Sequence, residues 1–236
     1  MLYYYYDQIG KLLNTVELPQ DPYNPNGWTK NPPSERPAEF IEGKAICLFN
    51  KDSNKWEWFT DYGVVYDKLN CQNKKSVPIG YVLQENDTLN KPIDNEPFQL
   101  YDFTNDCWVI DTESKTSMLR NQKINESNTL CKQLIESGFT SDATGTVYRY
   151  DSEMEDQTNL QGSVILADST GQPVPYLCWD SNEHKVQVLH SALQLKKVLK
   201  DGSERLLYLL TKNNENKNTI ASLGYQELVN YTPSFD

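Results

Sequence analysis

Two histidines, His184 and His190, are the side chains of this sequence best suited to acid–base chemistry or metal binding near neutral pH. They form no H-x-H pair, and neither belongs to an H-E-x-x-H motif, so their spacing is not that of a helical zinc site. His184 follows the polar stretch Asp180-Ser-Asn-Glu, which is typical of a solvated turn. His190 precedes Ser191, and we interpret it as part of the start of a helix.

The other motifs of catalysis are missing from the sequence. It has no G-x-S-x-G elbow, no G-x-x-x-x-G-K-[ST] loop and no G-x-G-x-x-G turn. Two of its many carboxylates could pair as in a glycosidase, but the acidic stretches 61–67 and 151–156 are more typical of solvated surfaces and helix starts. Neither stretch follows the Asp-x-Asp-x-Asp-Gly pattern of a calcium loop. We predict a protein without catalytic residues.

Five cysteines are spread widely along the chain: Cys47, Cys71, Cys107, Cys131 and Cys178. No Cys-x-x-Cys or Cys-x-x-His pair occurs, so the spacing does not indicate structural zinc. We expect all five to be small, mostly buried apolar side chains. The sequence predicts neither a metal nor a cofactor.

The overall charge excludes several classes of partner. The formal net charge is −11 over 236 residues, which repels phosphate backbones and argues against nucleic-acid binding. No run of about 20 apolar residues occurs, so membrane insertion is not expected. The first residues lack the basic start and apolar core of a signal peptide. We therefore expect a protein that is made and kept in a cytosol, or released from it by lysis.

The elements that could form a binding surface begin with an aromatic hairpin over residues 1–18. Its first strand would hold aromatic side chains on both faces, and residues 12–18 would return beside it. Because an exposed aromatic edge strand can pair with another chain, the candidate partner-binding residues are Tyr3, Tyr4, Tyr5 and Tyr6. Two alternatives are a platform that stacks on sugars and a hairpin packed wholly on its own domain.

A proline-rich segment follows at residues 19–37. Its six prolines are Pro19, Pro22, Pro25, Pro32, Pro33 and Pro37. This density argues against both a helix and a central strand, so we predict an extended connector that is partly polyproline II. Binding to an SH3-type domain is a weaker alternative, because PxxP matches arise easily in such a run.

Residues 38–111 are predicted to be a β-hairpin region. Residues 40–61 and 97–111 are similar, since each has an apolar strand, a turn rich in Asn and Asp, and a Trp-led strand that ends in Asp. A short strand is expected within residues 61–67, and residues 68–96 are predicted to be a long polar loop. Three tryptophans beside polar turns are interpreted as packing residues: Trp56, Trp108 and Trp179.

The composition changes near residue 112, where a stretch without Gly or Pro predicts a helix that stops before Gly138. The sequence Ser152-Glu-Met-Glu fits a capping box for a second helix that runs to about Asp168. A hairpin is predicted over residues 176–189. The buried side of the second helix would contain Met154, Leu160, Val164 and Ile165.

A last helical region would begin after Ser191, bend or break at Gly202 and be followed by a frayed end. Together the patterns predict an α+β fold: a hairpin-rich N-terminal region, then a mainly helical domain over residues 112–236 that contains a small hairpin.

Residues 117–224 resemble a domain of unknown function that recurs in tail proteins of tailed phages, the DUF4376 family. The resemblance rests on an ordered series rather than on one motif. The series consists of a charged helix into Ser137-Gly-Phe, then Tyr148-Arg-Tyr-Asp-Ser, Thr158-Asn-Leu-Gln-Gly-Ser, Trp179-Asp-Ser-Asn, Val186-Gln-Val and a long final helix. The second helix is more polar here than is typical of the family.

The N-terminal half is similar, more weakly, to the leading regions of phage tail fibre and tail fibre assembly proteins. The similarity lies in the aromatic first strand, Trp56-Glu-Trp-Phe-Thr and Gly63-Val-Val-Tyr-Asp. The resemblance implies a structural or adaptor protein of the virion tail, present in the host cytoplasm during assembly. Its expected partners are fibre, baseplate or tail-tube proteins and further copies of itself. The alternatives are a tail fibre assembly chaperone and a module that binds host-surface glycans.

Overall fold

Strands make up the secondary structure described in the first 111 residues, and the α-helices follow them. The computed structural model describes residues 1–22 and 27–236, in an N-terminal unit, Met1–Asp111, and a C-terminal unit, Thr112–Asp236. The predicted α+β fold class is confirmed. Pro25 of the proline-rich segment lies outside the described residues.

The described strands of the N-terminal unit form four antiparallel sheets with the orders β2-β1-β3, β4-β5, β7-β6-β8 and β9-β10. Their bounds are β1 Leu2–Tyr6, β2 Leu12–Glu17, β3 Trp28–Thr29, β4 Ala45–Asn50, β5 Lys55–Thr60, β6 Val64–Asp67, β7 Asn70–Ser76, β8 Asp87–Thr88, β9 Gln99–Asp102 and β10 Cys107–Ile110.

The N-terminal unit contains one arrangement twice. In β1–β5, and again in β6–β10, a hairpin receives a short third strand against its first strand, and a second hairpin follows. We call these segments the first module (β1–β5) and the second module (β6–β10). The structural repeat is therefore longer than the sequence similarity between residues 40–61 and 97–111, because it also includes the three strands that precede each of these hairpins.

One tryptophan anchors each module in the same way. Trp56 Nε1 donates to the Asn31 carbonyl oxygen at 2.8 Å, and Trp108 Nε1 donates to the Asn90 carbonyl oxygen at 2.8 Å. The N–H of each asparagine donates to a threonine hydroxyl two residues earlier, in β3 or in β8, at 3.1 Å. Across the hairpin each tryptophan faces a buried aromatic residue, Phe49 or Tyr101.

One prediction for this unit is wrong, and another is incomplete. Residues 68–96 are not a continuous loop, because they contain β7 and β8. β7 is an edge strand with mostly exposed side chains, so its polar sequence shows no apolar alternation. The proline-rich segment 19–37 is not only a connector either, since β3 pairs with β1 and Asn31 holds Trp56.

The C-terminal unit combines a four-stranded antiparallel sheet, of order β11-β12-β13-β14, with helices. Its elements are α1 Thr112–Glu136, β11 Phe139–Ser141, β12 Tyr148–Tyr150, α2 Met154–Thr170, β13 Val174–Trp179, β14 Lys185–His190, α3 Ala192–Ser222 and α4 Tyr225–Asn230. The predicted hairpin is β13–β14, and β11 and β12 extend it. Among the described residues, no helix has the length and apolarity needed to span a bilayer.

The core of this unit lies between the sheet, α2 and α3. It contains Phe139, Tyr150, Leu160, Ala167, Cys178, Leu195 and Val198. The start of α2 differs from the prediction: Glu153 is the N-cap, its N–H donates to the Asp156 carboxylate at 3.1 Å, and the Ser152 hydroxyl instead donates to the Ile135 carbonyl oxygen. Met154 and Ile165, predicted to be buried, are exposed, because the helix turns Leu160 and Ala167 towards the core.

α3 continues through Gly202, where the sequence predicts a bend or break. A Cβ atom at Gly202 would lie 2.7 Å from the Phe139 ring, closer than carbon atoms can approach. The glycine therefore allows β11 to pack against the helix. The chain end is also fixed rather than frayed: Asn216 donates to the Ser234 carbonyl oxygen at 2.8 Å and accepts from the Tyr231 hydroxyl at 2.7 Å.

Candidate functional site

The structure places the two histidines in different environments. His184 is exposed beside Asp180, whereas His190 is fully buried in the C-terminal unit. Within residues 1–22 and 27–236, no three His, Cys, Asp or Glu side chains are arranged to hold a metal ion. All five cysteines are free thiols, and Cys107 is exposed rather than buried as expected.

His190 has a structural environment. Its Nδ1 lies 2.8 Å from the Val188 carbonyl oxygen, which only a protonated Nδ1 can satisfy, so Nε2 accepts from the Tyr150 hydroxyl at 2.8 Å. Burial lowers the pKa of His190 and raises the pKa of Tyr150, because the interior disfavours the charged form of each. The pair is therefore neutral and stabilises the core.

Mild acid is expected to destabilise the C-terminal unit through His190. The unfolded histidine binds a proton below about pH 6.5, whereas the folded one has a lowered pKa, so the stabilisation is complete above pH 6.5 and is lost as the pH falls. The free energy of unfolding should fall by at most about 1.4 kcal/mol per pH unit between pH 6.5 and 5. Urea titrations followed by ellipticity at 222 nm would measure this.

His190→Gln keeps a donor and an acceptor but cannot titrate, so it should flatten the pH dependence. An unchanged slope in His190→Gln would show that other groups control the response to acid.

The four candidate tyrosines have two different environments. Tyr3 and Tyr6 are buried, so the structure contradicts their prediction as partner-binding residues. The Tyr3 hydroxyl donates to Asp21 at 2.7 Å, and this hydrogen bond is the main reason that the pKa of Tyr3 is raised to about 12. Tyr6 stacks on Phe49 with ring centroids 4.7 Å apart. Tyr4 and Tyr5 are half-buried.

The partner-binding prediction requires the tyrosine strand to be an edge strand, but the structure places it in the middle of its sheet. β1 lies between β2 and β3, because the proline-rich segment returns and supplies the third strand. The edge strands of this sheet are β2 and the two-residue β3. Sequence reasoning missed this arrangement, since Trp28–Thr29 is only two residues long and stands among prolines.

β2 presents the most accessible part of the aromatic hairpin. Five of its six residues are exposed, Leu12 and Leu13 among them, and Leu2 and Ile9 of the same hairpin are exposed as well. Met1 and Leu18 form a pair that exchanges both main-chain hydrogen bonds. Hydrogen-bonded and non-hydrogen-bonded pairs alternate along an antiparallel ladder. The N–H and C=O groups of Thr15 and Glu17 therefore point away from β1. Within the described residues these groups face an open stretch of the sheet edge, whereas Lys11, just before β2, pairs with Leu48 of β4.

Trp179 differs from the tryptophans of the two modules. It is half-buried, and its Nε1 donates to the Asp151 carboxylate at 2.7 Å. Arg149 and Lys185 lie 4.7 and 5.4 Å from its ring centroid. Burial opposes ionisation of Asp151, but hydrogen bonds from Lys185 and Trp179 more than offset it and hold the pKa of Asp151 below its usual value. This compensated charge network fastens β12 to β13–β14.

Comparison with known proteins adds no relative: no family model, no curated protein and no solved structure matches this chain.

Proposed function

We propose that the protein is a non-enzymatic structural or adaptor component of a bacteriophage tail, at the fibres or the baseplate, and that it joins a partner chain through the open edge of β2. The observation that carries the proposal is this edge strand, whose outward main-chain groups are combined with exposed leucines. An unpaired edge of this kind is a template for strand addition by another chain.

Two further properties support a function exercised through surfaces. Two of the described side chains with catalytic potential are held in structural contacts, His190 in the core and Asp151 in an ion pair. The module tryptophans Trp56 and Trp108 are buried, so they do not offer a platform for stacking on sugars. The resemblance of the C-terminal half to a domain of phage tail proteins gives the proposal its biological setting.

Proline at position 15 tests the edge directly. The Thr15 N–H points away from β1, so Thr15→Pro removes an outward donor without removing a hydrogen bond within the hairpin. We expect the variant to remain folded, with unchanged tryptophan fluorescence, but to be incorporated into phage tails at least tenfold less. Mass spectrometry of purified particles from complemented infections would measure incorporation.

Thr15→Val, which keeps the N–H, is the matched control and should be incorporated normally. Leu13→Glu provides a second test that leaves the main chain unaltered, and it should also reduce incorporation. Normal incorporation of both test variants would refute the edge as the contact. A wild-type protein that is absent from particles but required for fibre assembly would instead establish the chaperone. Deleting residues 1–37 is not a clean test, because it removes β1 and β3 from the first module.

A further inference from the structure

The C-terminal unit contains a partly apolar cavity that is separate from the proposed tail contact. It lies where the end of α1, α2 and α3 meet, and its volume is about 130 Å³. Six of the twelve residues that line it are apolar: Ile135, Phe139, Leu160, Leu199, Leu206 and Leu209. Leu160 and Leu209 are buried, so the cavity reaches the interior of the unit. Ser203 and Gln161, which are exposed, mark its opening to solvent.

The size of the cavity limits what it can hold. A cavity of about 150 Å³ lined by aliphatic and aromatic side chains accommodates one benzene molecule in other proteins. The cavity here therefore fits a single phenyl ring or branched aliphatic group, with the remainder of any ligand outside. Gly202 helps to form this space, because its missing Cβ lets the Phe139 ring lie against α3 as one wall.

Arg205 supplies a positive charge to the wall. The sequence has four arginines, and Arg36, Arg120 and Arg149 each contact a carboxylate or a main-chain carbonyl oxygen. Within the described residues, the Arg205 guanidinium has no carboxylate within 4 Å, and its recorded contact is the Tyr208 ring, 5.6 Å away. In a chain of net charge −11, an arginine without an acidic partner beside a partly apolar cavity is complementary to an anionic ligand.

We infer that this cavity binds a hydrophobic carboxylate, with the ring or branched aliphatic group inside and the carboxylate on Arg205. Two sources share this chemistry. One is a small organic acid, and the other is the C-terminus of a polypeptide whose last residue is Phe or Leu. The inference concerns a site on the C-terminal unit and is independent of strand addition at β2.

Three ligand pairs test the inference, each offered to the full-length protein by calorimetric titration. They are 3-phenylpropionate and its amide, 4-methylpentanoate and its amide, and the peptide acetyl-Gly-Gly-Phe with a free or an amidated C-terminus. We expect saturable binding of the acids with a Kd of about 1 mM or below, and binding of the amides at least tenfold weaker. A tighter Kd for the free peptide than for 3-phenylpropionate would identify the polypeptide source, and the reverse order would identify the small acid.

Two variants separate the parts of the site. Arg205→Gln should weaken the binding of the acids until it equals that of the amides. The control Lys200→Gln removes a charge from the same helix outside the cavity wall and should leave binding unchanged. Ser203→Phe places a ring at the opening and should abolish binding of every ligand; because Ser203 is exposed, the fold should tolerate it. Absence of saturable binding to the wild-type protein, or acids and amides that bind equally, would overturn the inference.

Discussion

Trp108→Ala is expected to lower the free energy of unfolding of the N-terminal unit by about 3–5 kcal/mol, the usual cost of truncating a buried aromatic side chain. The side chain is almost fully buried against Tyr101, with ring centroids 5.1 Å apart. Its loss leaves a cavity and removes the hydrogen bond that fixes Asn90 beside β8. Urea unfolding followed by tryptophan fluorescence would report on this unit, because four of the five tryptophans lie in it.

Because the two modules share one arrangement, Trp56→Ala should have a similar effect. Trp56 contacts Phe49 and Asn31 in the first module. Tyr101 and Asn90 are the corresponding contacts of Trp108 in the second module. Phe103→Ala is the control in the second module: this ring is 62% exposed, so its truncation should cost about 1 kcal/mol or less. A small loss for either tryptophan, comparable to that of Phe103→Ala, would show that the anchors are not equivalent.

The hairpins were predictable because their signals are local. The turns after Phe49 and Tyr101 have the same spacing to the following tryptophan, and Asn50 and Asp102 each accept main-chain N–H groups of their own turn. One residue of each turn, Asn54 or Asp106, has φ of 52°, a conformation that Asn and Asp tolerate well. Such turns need little support from the rest of the chain.

The remaining features depend on contacts distant in sequence. β3 and β8 are two residues long and exist only because β1 and β6 pair with them. Tyr3 and Tyr6 are buried by Trp28, Phe49 and Trp56, so no local pattern distinguishes them from Tyr4 and Tyr5. Arg205 likewise becomes a candidate site residue only when α1, α2 and α3 enclose a cavity beside it.

Gly138→Ala is expected to destabilise the C-terminal unit by about 2–5 kcal/mol. Gly138 has φ of +89°, a conformation that costs an L-residue roughly 1–2 kcal/mol. A Cβ atom there would also lie 2.3 Å from the Tyr150 carbonyl oxygen. That oxygen belongs to the main chain of β12, so relief of the clash must displace a strand, at a further cost of about 1–3 kcal/mol. Urea unfolding followed by ellipticity at 222 nm would measure the loss.

Gly145→Ala is a matched control for this change. Gly145 also has φ of +89°, but no atom other than its own and those of its two chain neighbours lies within 4 Å of the position of its Cβ. Both substitutions therefore carry the cost of the left-handed conformation, and only Gly138→Ala carries the clash with β12. The difference between the two losses measures how firmly the α1–β11 connection is held against the sheet. Equal losses would mean that β12 moves aside freely, and that the close approach of Gly138 to Tyr150 does not fix the position of β11.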